Sequence, residues 1–540
     1  MATKTSIKDM DTKSQDLFSA LWSSADEMRK IMSADVYKDY LLGLIFYKAV
    51  SDSQLRTVVE LLEERKPKDM QEAQEIYEGL KGNDGFSDVQ EELKIRYGCA
   101  IEPEHTFTAF YNHINDGTFL VKELGEAFHD IEQSTIGNEG HKPYTGLFDD
   151  FDIYSKDLGK TDTERNALLS AVIKRLYGLD FSSYGADALG DAYEYLIGQF
   201  ASESGKKAGE FYTPQAVSKL ITRIVTRGKE DKDGFTIYDP CMGSGSLLLQ
   251  VKNYIGRGDS NESEGCRQHI EFFGQEIKNQ TFNLARMNMM LHQVPADKQH
   301  LRQGDTLDAD WPTDEPTNFD AVVMNPPYSQ NWNNRESMLQ DVRFAHYEQL
   351  APKGKADLAF LLHGFYHLKP GGVMGIVQPH GVLFRGAAEG TIRKHLIEDG
   401  SIYAVIGLPA NIFFNTSIPT CVIVLRKDNT SRDILFIDAS QEFEKGKNQN
   451  RLTDANIDKI VSTFFERKDV DKYAHLASFE EIKKNDFNLN IARYVDTSEE
   501  EEEIDPNEVY KELQKVDAEI SETNAKLNKF FEELGLEVRL

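Results

Sequence analysis

With 540 residues and 61 basic against 90 acidic side chains, a formal net charge of −29, the chain is too long for one compact core and too acidic to grip nucleic acid unaided, because phosphate contact needs a basic face. No stretch approaches the roughly 20 apolar residues of a membrane span, and the Met-Ala-Thr-Lys start carries no apolar leader, so a cytoplasmic protein without a membrane segment is expected. The four cysteines, Cys99, Cys241, Cys266 and Cys421, form no CxxC pair and have no histidine at ligand spacing; reduced thiols and no metal are expected.

In chain order, the first two hundred or so residues read as helical. Val36, Tyr40, Leu44 and Tyr47 recur at spacings of 4, 4 and 3, and "NALLSAVIKRLYGL" and "DALGDAYEYLIGQF" carry the same amphipathic signature. An all-helical N-terminal domain is expected over 1–175. The Gly159–Lys160–Thr161 triplet is not a phosphate loop, since Tyr154 stands where that motif needs its first glycine.

From about 205 to 440 short apolar runs alternate with helical patterns: "FTIYDP", "IEFFGQE", "LRQGD", "FDAVVM", "VMGIVQ", "IYAVIGL" and "CVIVLR". Strands alternating with helices predict an α/β fold, a Rossmann-like, mostly parallel sheet covered on both faces, with ligands bound at the carboxyl ends of the strands. This catalytic domain is expected over 176–470. Beyond it a C-terminal region, 471–540, carries the acidic run Glu499–Glu503 and a long coiled-coil-like helix over 506–534, opened by Pro506. Its Val509, Leu513, Val516, Ile520, Thr523, Leu527, Phe530 and Leu534 alternate spacings of 4 and 3, a narrow heptad seam that wants a partner helix. Whether that partner is this chain or another subunit the seam leaves open.

The strand ends carry the chemistry. "YDPCMGSGSLLLQ" places Asp239 at the end of one strand and Gly243 and Gly245 in the turn before an apolar helix, where glycines let backbone approach a ligand closely. Leu248 replaces the third glycine of the dinucleotide fingerprint, which disfavours a nicotinamide cofactor. The next two strands end in Glu276 and Asp305. The fourth stops at Asn325-Pro326-Pro327-Tyr328, where two residues without a backbone donor hold an amide and an aromatic ring rigid at the strand's edge.

The order "GEFYTP" (Gly209 to Pro214), "DPCMGSG" (Asp239 to Gly245), "GQE" (Gly274 to Glu276), "GD" (Gly304, Asp305) and "NPPY" (Asn325 to Tyr328) resembles the amino-group DNA methyltransferases that use S-adenosylmethionine. More narrowly, with "GQFASESGKKAGEFYTP", the helical N-terminal part and the long C-terminal helix, the chain resembles the modification subunit of type I restriction-modification systems. The resemblance implies a cofactor site of Phe211, Tyr212, Thr213, Asp239, Gly243, Ser244, Gly245, Glu276 and Asp305. In it Thr213 takes the methionine carboxylate, Asp239 and the Gly243–Gly245 turn the methionine end, Glu276 the ribose and Asp305 the adenine. It implies a catalytic set of Asn325, Pro326, Pro327 and Tyr328, the amide and the Pro326 carbonyl accepting from the target amine and the ring stacking on a flipped base; Phe414, beside Phe413, is a second stacking candidate. Cys241 follows a proline, as the nucleophile of cytosine-C5 enzymes does, but it lies inside the glycine turn and reads as a small packing residue.

The implied partners are duplex DNA, a separate specificity subunit and a restriction (translocase) subunit, with two copies of this chain per complex. The implied reaction is methylation of adenine N6. Cytosine-N4 methylation uses nearly the same site, glutamine-N5 protein methyltransferases also carry NPPY after the fourth strand, and a non-catalytic scaffold is the third alternative.

Overall fold

The structure, a computed structural model of the chain, describes residues 12–135, 143–184, 186–203, 212–255, 269–308, 317–413, 418–446, 449–497 and 505–538. They form two units, 1–495 and 496–540.

The first unit begins with α1 (Thr12–Ser24), α2 (Asp26–Arg29), α3 (Ala34–Glu63), α4 (Met70–Leu80), α5 (Phe86–Tyr97), α6 (Phe107–Asp116), α7 (Lys122–Ser134), α8 (Asp162–Tyr177) and α9 (Ala186–Glu203). The apolar face read from Tyr40, Leu44 and Tyr47 is buried in one aromatic-rich core, where Phe128 stacks on Phe148 at 4.1 Å. The rejected phosphate-loop triplet has a local job. Thr161 caps α8, accepting from the Glu164 backbone N–H, while the Glu164 side chain returns to the Thr161 N–H.

Among the described residues nine strands make the sheet: β1 (Phe235–Asp239), β2 (Ile270–Glu276), β3 (Gln299–Gln303), β4 (Phe319–Met324), β5 (Leu368–Pro379), β6 (Ile402–Gly407), β7 (Thr420–Arg426), β8 (Ile434–Asp438) and β11 (Ala474–Ala477); β9 (Glu444–Lys445) and β10 (Asn450–Arg451) pair apart. The order is β11-β8-β6-β7-β5-β4-β1-β2-β3, parallel from β5 to β3 and antiparallel where β7 lies between β5 and β6. Two apolar cores cover the two faces, with α10 (Gln215–Thr226), α11 (Ser246–Gln250), α12 (Asn279–Leu291), α13 (Asp357–Tyr366), α14 (Ala387–Glu398), α15 (Asp454–Glu466) and α16 (Phe479–Lys484) as the flanking helices. All seven expected strands are present. The sequence reading lacked β8, which pairs with β6, and the four-residue β11, which pairs with β8 at the sheet edge.

The second unit contains α17 (Pro506–Glu533), with Asp505 as its cap and Pro506 in its first turn. Val509, Leu513, Val516, Ile520 and Phe530 of the heptad seam are exposed. Among the described residues no helix is long and apolar enough to cross a membrane.

Sequential strands run outward on either side of the β1–β4 junction, which makes it the place where the sheet reverses direction of growth. Asp320 bolts this junction at its amino end. Its Oδ2 accepts from the Thr236 N–H (3.1 Å) and hydroxyl (2.9 Å), Lys369 Nζ stands 3.1 Å away, and Lys232 pairs with Oδ1. Burial raises this carboxyl's pKa, but the bonds from Lys232, Thr236 and Lys369 together outweigh it and hold it at about 2. A folded pKa below the unfolded value stabilises above about pH 4, and the benefit is lost as pH falls toward 2. Asp320→Asn is therefore expected to lower stability at pH 7 by about 1–2 kcal/mol and to flatten the acid limb of a melting curve between pH 4 and 2; an unchanged acid limb contradicts the assignment.

Candidate active site

The first strand ends in a buried acid. Asp239 is 0% exposed; its Oδ1 accepts from the Cys241 N–H at 2.9 Å, while Oδ2 has no hydrogen-bond partner among the described residues. Burial, with Glu276 nearby, pushes its carboxyl well above the ordinary range. Past Pro240 the chain turns through Gly243 (φ +55°) and Gly245 (φ +80°), left-handed positions that favour residues without a Cβ. The turn is tied down from two sides: the Met242 N–H donates to the Gln275 carbonyl (3.0 Å), and Asn288 Nδ2 on α12 donates to the Ser244 carbonyl (2.9 Å).

Glu276, at the end of β2, accepts from the Gly243 N–H (3.2 Å) and the Lys278 N–H (2.9 Å), and burial raises its pKa despite both. The Gly304 N–H donates to the Glu276 carbonyl, so the loop after β3 leaves along the same rim. There Asp305 is exposed and accepts from the Leu307 N–H at 3.0 Å. Thr306 Oγ1 donates to the Pro240 carbonyl (2.6 Å), and Arg343 Nη1 to the Thr306 carbonyl (2.9 Å).

At the fourth strand end Asn325 is buried. Its Nδ2 donates to Thr213 Oγ1 (3.1 Å), and its Oδ1 accepts from the Tyr328 hydroxyl (3.1 Å). The Tyr328 ring meets Phe413 edge-on at 6.2 Å. The loop then passes through Ser329 at φ +52°, a conformation an L residue holds only under constraint. The constraint is Asp357 at the start of α13: its Oδ1 accepts from the Ser329 N–H (2.7 Å), and its Oδ2 pairs with Arg385 (3.1 Å).

A cavity of about 220 Å³ lies along this rim. Tyr212, Thr213, Gly243, Ser244, Glu276, Asp305, Asn325 and Pro327 line it, so most of the residues expected from the sequence converge on one space. Asp239 is buried below the turn, and Gly245, Pro326 and Tyr328 are not part of the lining. Phe211 and Phe414 lie outside the described residues. The sequence reading missed the apolar lining: Ile277, Leu307, Trp332 and Phe360. Ile277, 57% exposed immediately after an acidic strand end, carried the one readable signal, an apolar side chain without a core to enter. Trp332 belongs to the irregular excursion after β4 and had none. The lining suits an elongated ligand with an apolar flat part, hydroxyls for Glu276 and a polar end at the glycine turn.

Comparison with known proteins bears on this site. The profile of the N-6 DNA methylase family matches residues 184–503, and that of the HsdM N-terminal domain matches residues 17–176. The chain is 35% identical over 503 residues to the type I restriction enzyme MpnII methylase subunit of Mycoplasma pneumoniae, covering 90% of each chain. It is 32% identical over 510 residues to the MjaVIII methylase subunit of Methanocaldococcus jannaschii, covering 92% of this chain and 81% of that one. The crystal structure of the type I restriction-modification system methyltransferase subunit from Streptococcus thermophilus superposes with a TM-score of 0.85 at 55% identity, over 90% of this chain and all of that one.

The Asp357 brace is testable without any ligand. Asp357→Ala removes the acceptor for the Ser329 N–H and the partner of Arg385, and is expected to cost about 1–3 kcal/mol. Hydrogen exchange at Ser329 should quicken while that at Ile237 in β1 does not; equal protection in the variant and the parent contradicts the brace.

Proposed function

Because the chain belongs to the N-6 DNA methylase family and, within it, to the methylase subunits of type I restriction enzymes, we propose that it methylates adenine at N6 in duplex DNA, using S-adenosylmethionine, with sequence choice supplied by a separate specificity subunit. That it is a DNA methyltransferase follows from the family. One observation supports the finer reading above the rest: Asn325, from β4, lines the same cavity as the glycine turn of β1 and the acids that follow β2 and β3.

The chain's residues fit such a cofactor. Thr213, Ser244 and the backbone of the Gly243–Gly245 turn would hold its methionine end, Glu276 its ribose hydroxyls and Asp305 the amine of its adenine. When bound, it supplies a methyl group made electrophilic by a sulfonium. On the other side Asn325 Oδ1 and the Pro326 carbonyl would accept the two hydrogens of the target amine. An aryl amine is a weak nucleophile because its lone pair is delocalised into the ring. Two acceptors on its hydrogens favour a pyramidal nitrogen whose lone pair faces the methyl group, and their partial negative charge offsets the positive charge that develops there. The nitrogen then sheds one proton and needs no covalent enzyme intermediate.

Base flipping costs a few kcal/mol, and stacking on the Tyr328 ring returns about 1–3 of them. In the present conformation the Tyr328 hydroxyl donates to Asn325 Oδ1. Capture of the base therefore requires this tyrosine to release that oxygen or to share it with the target amine, which its second lone pair allows.

The net charge of −29 supports reliance on partners for DNA contact; in the proposed complex these are a specificity subunit and a restriction subunit, with two copies of this chain. A cytoplasmic location accords with a DNA substrate. Co-expression with the neighbouring specificity subunit, followed by mass spectrometry of digested DNA, is expected to show N6-methyladenine; N4-methylcytosine, or label from the cofactor appearing in protein, overturns the reading. Alone, the chain should bind cofactor yet methylate duplex DNA poorly. Asn325→Ala in the complex is expected to lower the methylation rate by about 100-fold or more with cofactor binding retained, measured by single-turnover transfer and calorimetry.

A further inference from the structure

Between Tyr328 and α13 the chain makes a long excursion to which the proposed reaction assigns no role. It closes on itself at its neck: the Ala356 N–H donates to the Gln330 carbonyl (3.0 Å), and the Trp332 N–H to the Lys353 carbonyl (3.0 Å). Its Trp332, Met338, Phe344 and Tyr347 belong to the apolar core that covers one face of the sheet. From within it Arg343, 2% exposed, reaches the loop after β3. Its Nη1 donates to the Thr306 carbonyl (2.9 Å) and to His363 Nδ1 (3.0 Å), its Nη2 to the Leu307 carbonyl (3.3 Å) and Asp341 Oδ2 (2.6 Å), and its Nε to Asp341 Oδ1 (3.0 Å). A guanidinium carries five N–H groups in a rigid fork, and among the described residues these five bonds match them.

We propose that Arg343 is a positioning residue for the adenosine half of the cofactor, because by clamping the carbonyls of Thr306 and Leu307 it fixes the part of the cavity wall that carries Asp305. This rests on the reading that S-adenosylmethionine occupies the cavity with its adenine at Asp305. The clamp has a second jaw. Thr306 Oγ1 donates to the Pro240 carbonyl (2.6 Å), so the residue after Asp305 is gripped through its hydroxyl by the turn after β1 and through its carbonyl by Arg343. The Asp305 carboxylate bonds within its own loop, to the Leu307 N–H, and therefore moves with the two residues that Arg343 holds.

The guanidinium is aimed by what lies behind it. Asp341 takes two of its bonds and His363, on α13, a third. His363 is 0% exposed, and burial, with His367 and Arg343 beside it, holds its pKa well below the ordinary value, so the ring is neutral and its Nδ1 accepts. Its proton then sits on Nε2 and goes to the Tyr238 hydroxyl (3.0 Å), whose own hydrogen is left for Gln275 Oε1 (3.3 Å). Gln275 closes the circuit: a Cβ built on Gly304 would stand 3.0 Å from its Nε2, so the backbone just before Asp305 rests on that amide. Asp305 is thus seated on one network from both sides, through Gly304 before it and through Thr306 and Leu307 after it.

The test is calorimetric binding of adenosine and of S-adenosylmethionine to the full chain, with melting temperatures alongside. Arg343→Lys keeps a positive charge beside Asp341 but has its donors on a single nitrogen, which cannot span both carbonyls and the carboxylate. It should bind both ligands about tenfold more weakly, by the same factor, since the affected contacts belong to the half they share. In the complex with the specificity subunit, single-turnover transfer at saturating S-adenosylmethionine should stay within about twofold of the parent, so the loss lies in affinity and not in the rate of transfer. Leu93→Ala, in the apolar cluster of α3, α4 and α5, should lower the melting temperature and leave adenosine binding unchanged, which separates position from stability. Asp341→Asn, which removes the carboxylate that aims the guanidinium, should weaken adenosine in the same direction and decides the matter if the lysine variant does not fold. Parental adenosine affinity in the variant that decides, an equal weakening in Leu93→Ala, or slower transfer with affinity retained overturns the proposal alone; a parent chain that binds neither ligand overturns the cofactor reading and the proposal with it.

Discussion

The rim of the sheet depends on β1 being held in parallel register between β2 and β4. Asp239 aligns with Gly274 of β2, and Tyr238 with Val322 of β4, so the acid at the end of β1 and the amide just past β4 emerge side by side. A slip of one residue would turn Asp239 to the opposite face and bury the wrong side chain beneath the glycine turn. Asp320 supplies the fixed point at the far end, because its two oxygens gather a backbone N–H, a hydroxyl and two ammonium groups from three segments. The network fixes geometry where the strands begin, and the functional loops inherit it where they end.

Around the cavity the chain keeps carboxyl groups out of water. Asp239, Glu276 and Glu194 all have pKa values raised chiefly by burial. Such groups are costly unless their oxygens are occupied. Glu276 meets the condition with two backbone donors, whereas Asp239 and Glu194 each keep one oxygen without a partner among the described residues. Open acceptors next to a cavity are what a ligand with several donors can complete. This local chemistry differs in kind from the surface acidity of the chain, which keeps charge on solvated side chains and bears on partners instead.

Legibility followed burial and length. Of the strands β1 to β7, all but β3 stood out as apolar runs where helical spacing stops; β3, QHLRQ, has a single apolar residue and was marked by the Gly304–Asp305 pair after it. The helices around Tyr40 and Tyr47 were readable because their apolar residues recur with the helical period. β11 was not, since four residues at the sheet edge carry too little pattern, and β8, though as long as β1, was not singled out. In the site, the residues at strand ends stood out by type: an acid, a pair of glycines or a pair of prolines where an apolar run stops. Trp332 and Arg343 did not, because the excursion after β4 has no period, and what places them near the cavity is contact with segments distant in sequence.

The sequence by itself determined the alternation of strands and helices, the residue types at each strand end and the family, because these rest on residue type and local spacing. Only the tertiary structure decided that Tyr328 occupies the acceptor of Asn325 and that Asp357 holds the turn behind them. The Asp357 contact joins a helix start to the backbone of a distant loop, and its distance depends on how that helix docks on the sheet. Docking is set by the summed packing of many residues, and no short stretch of sequence encodes it.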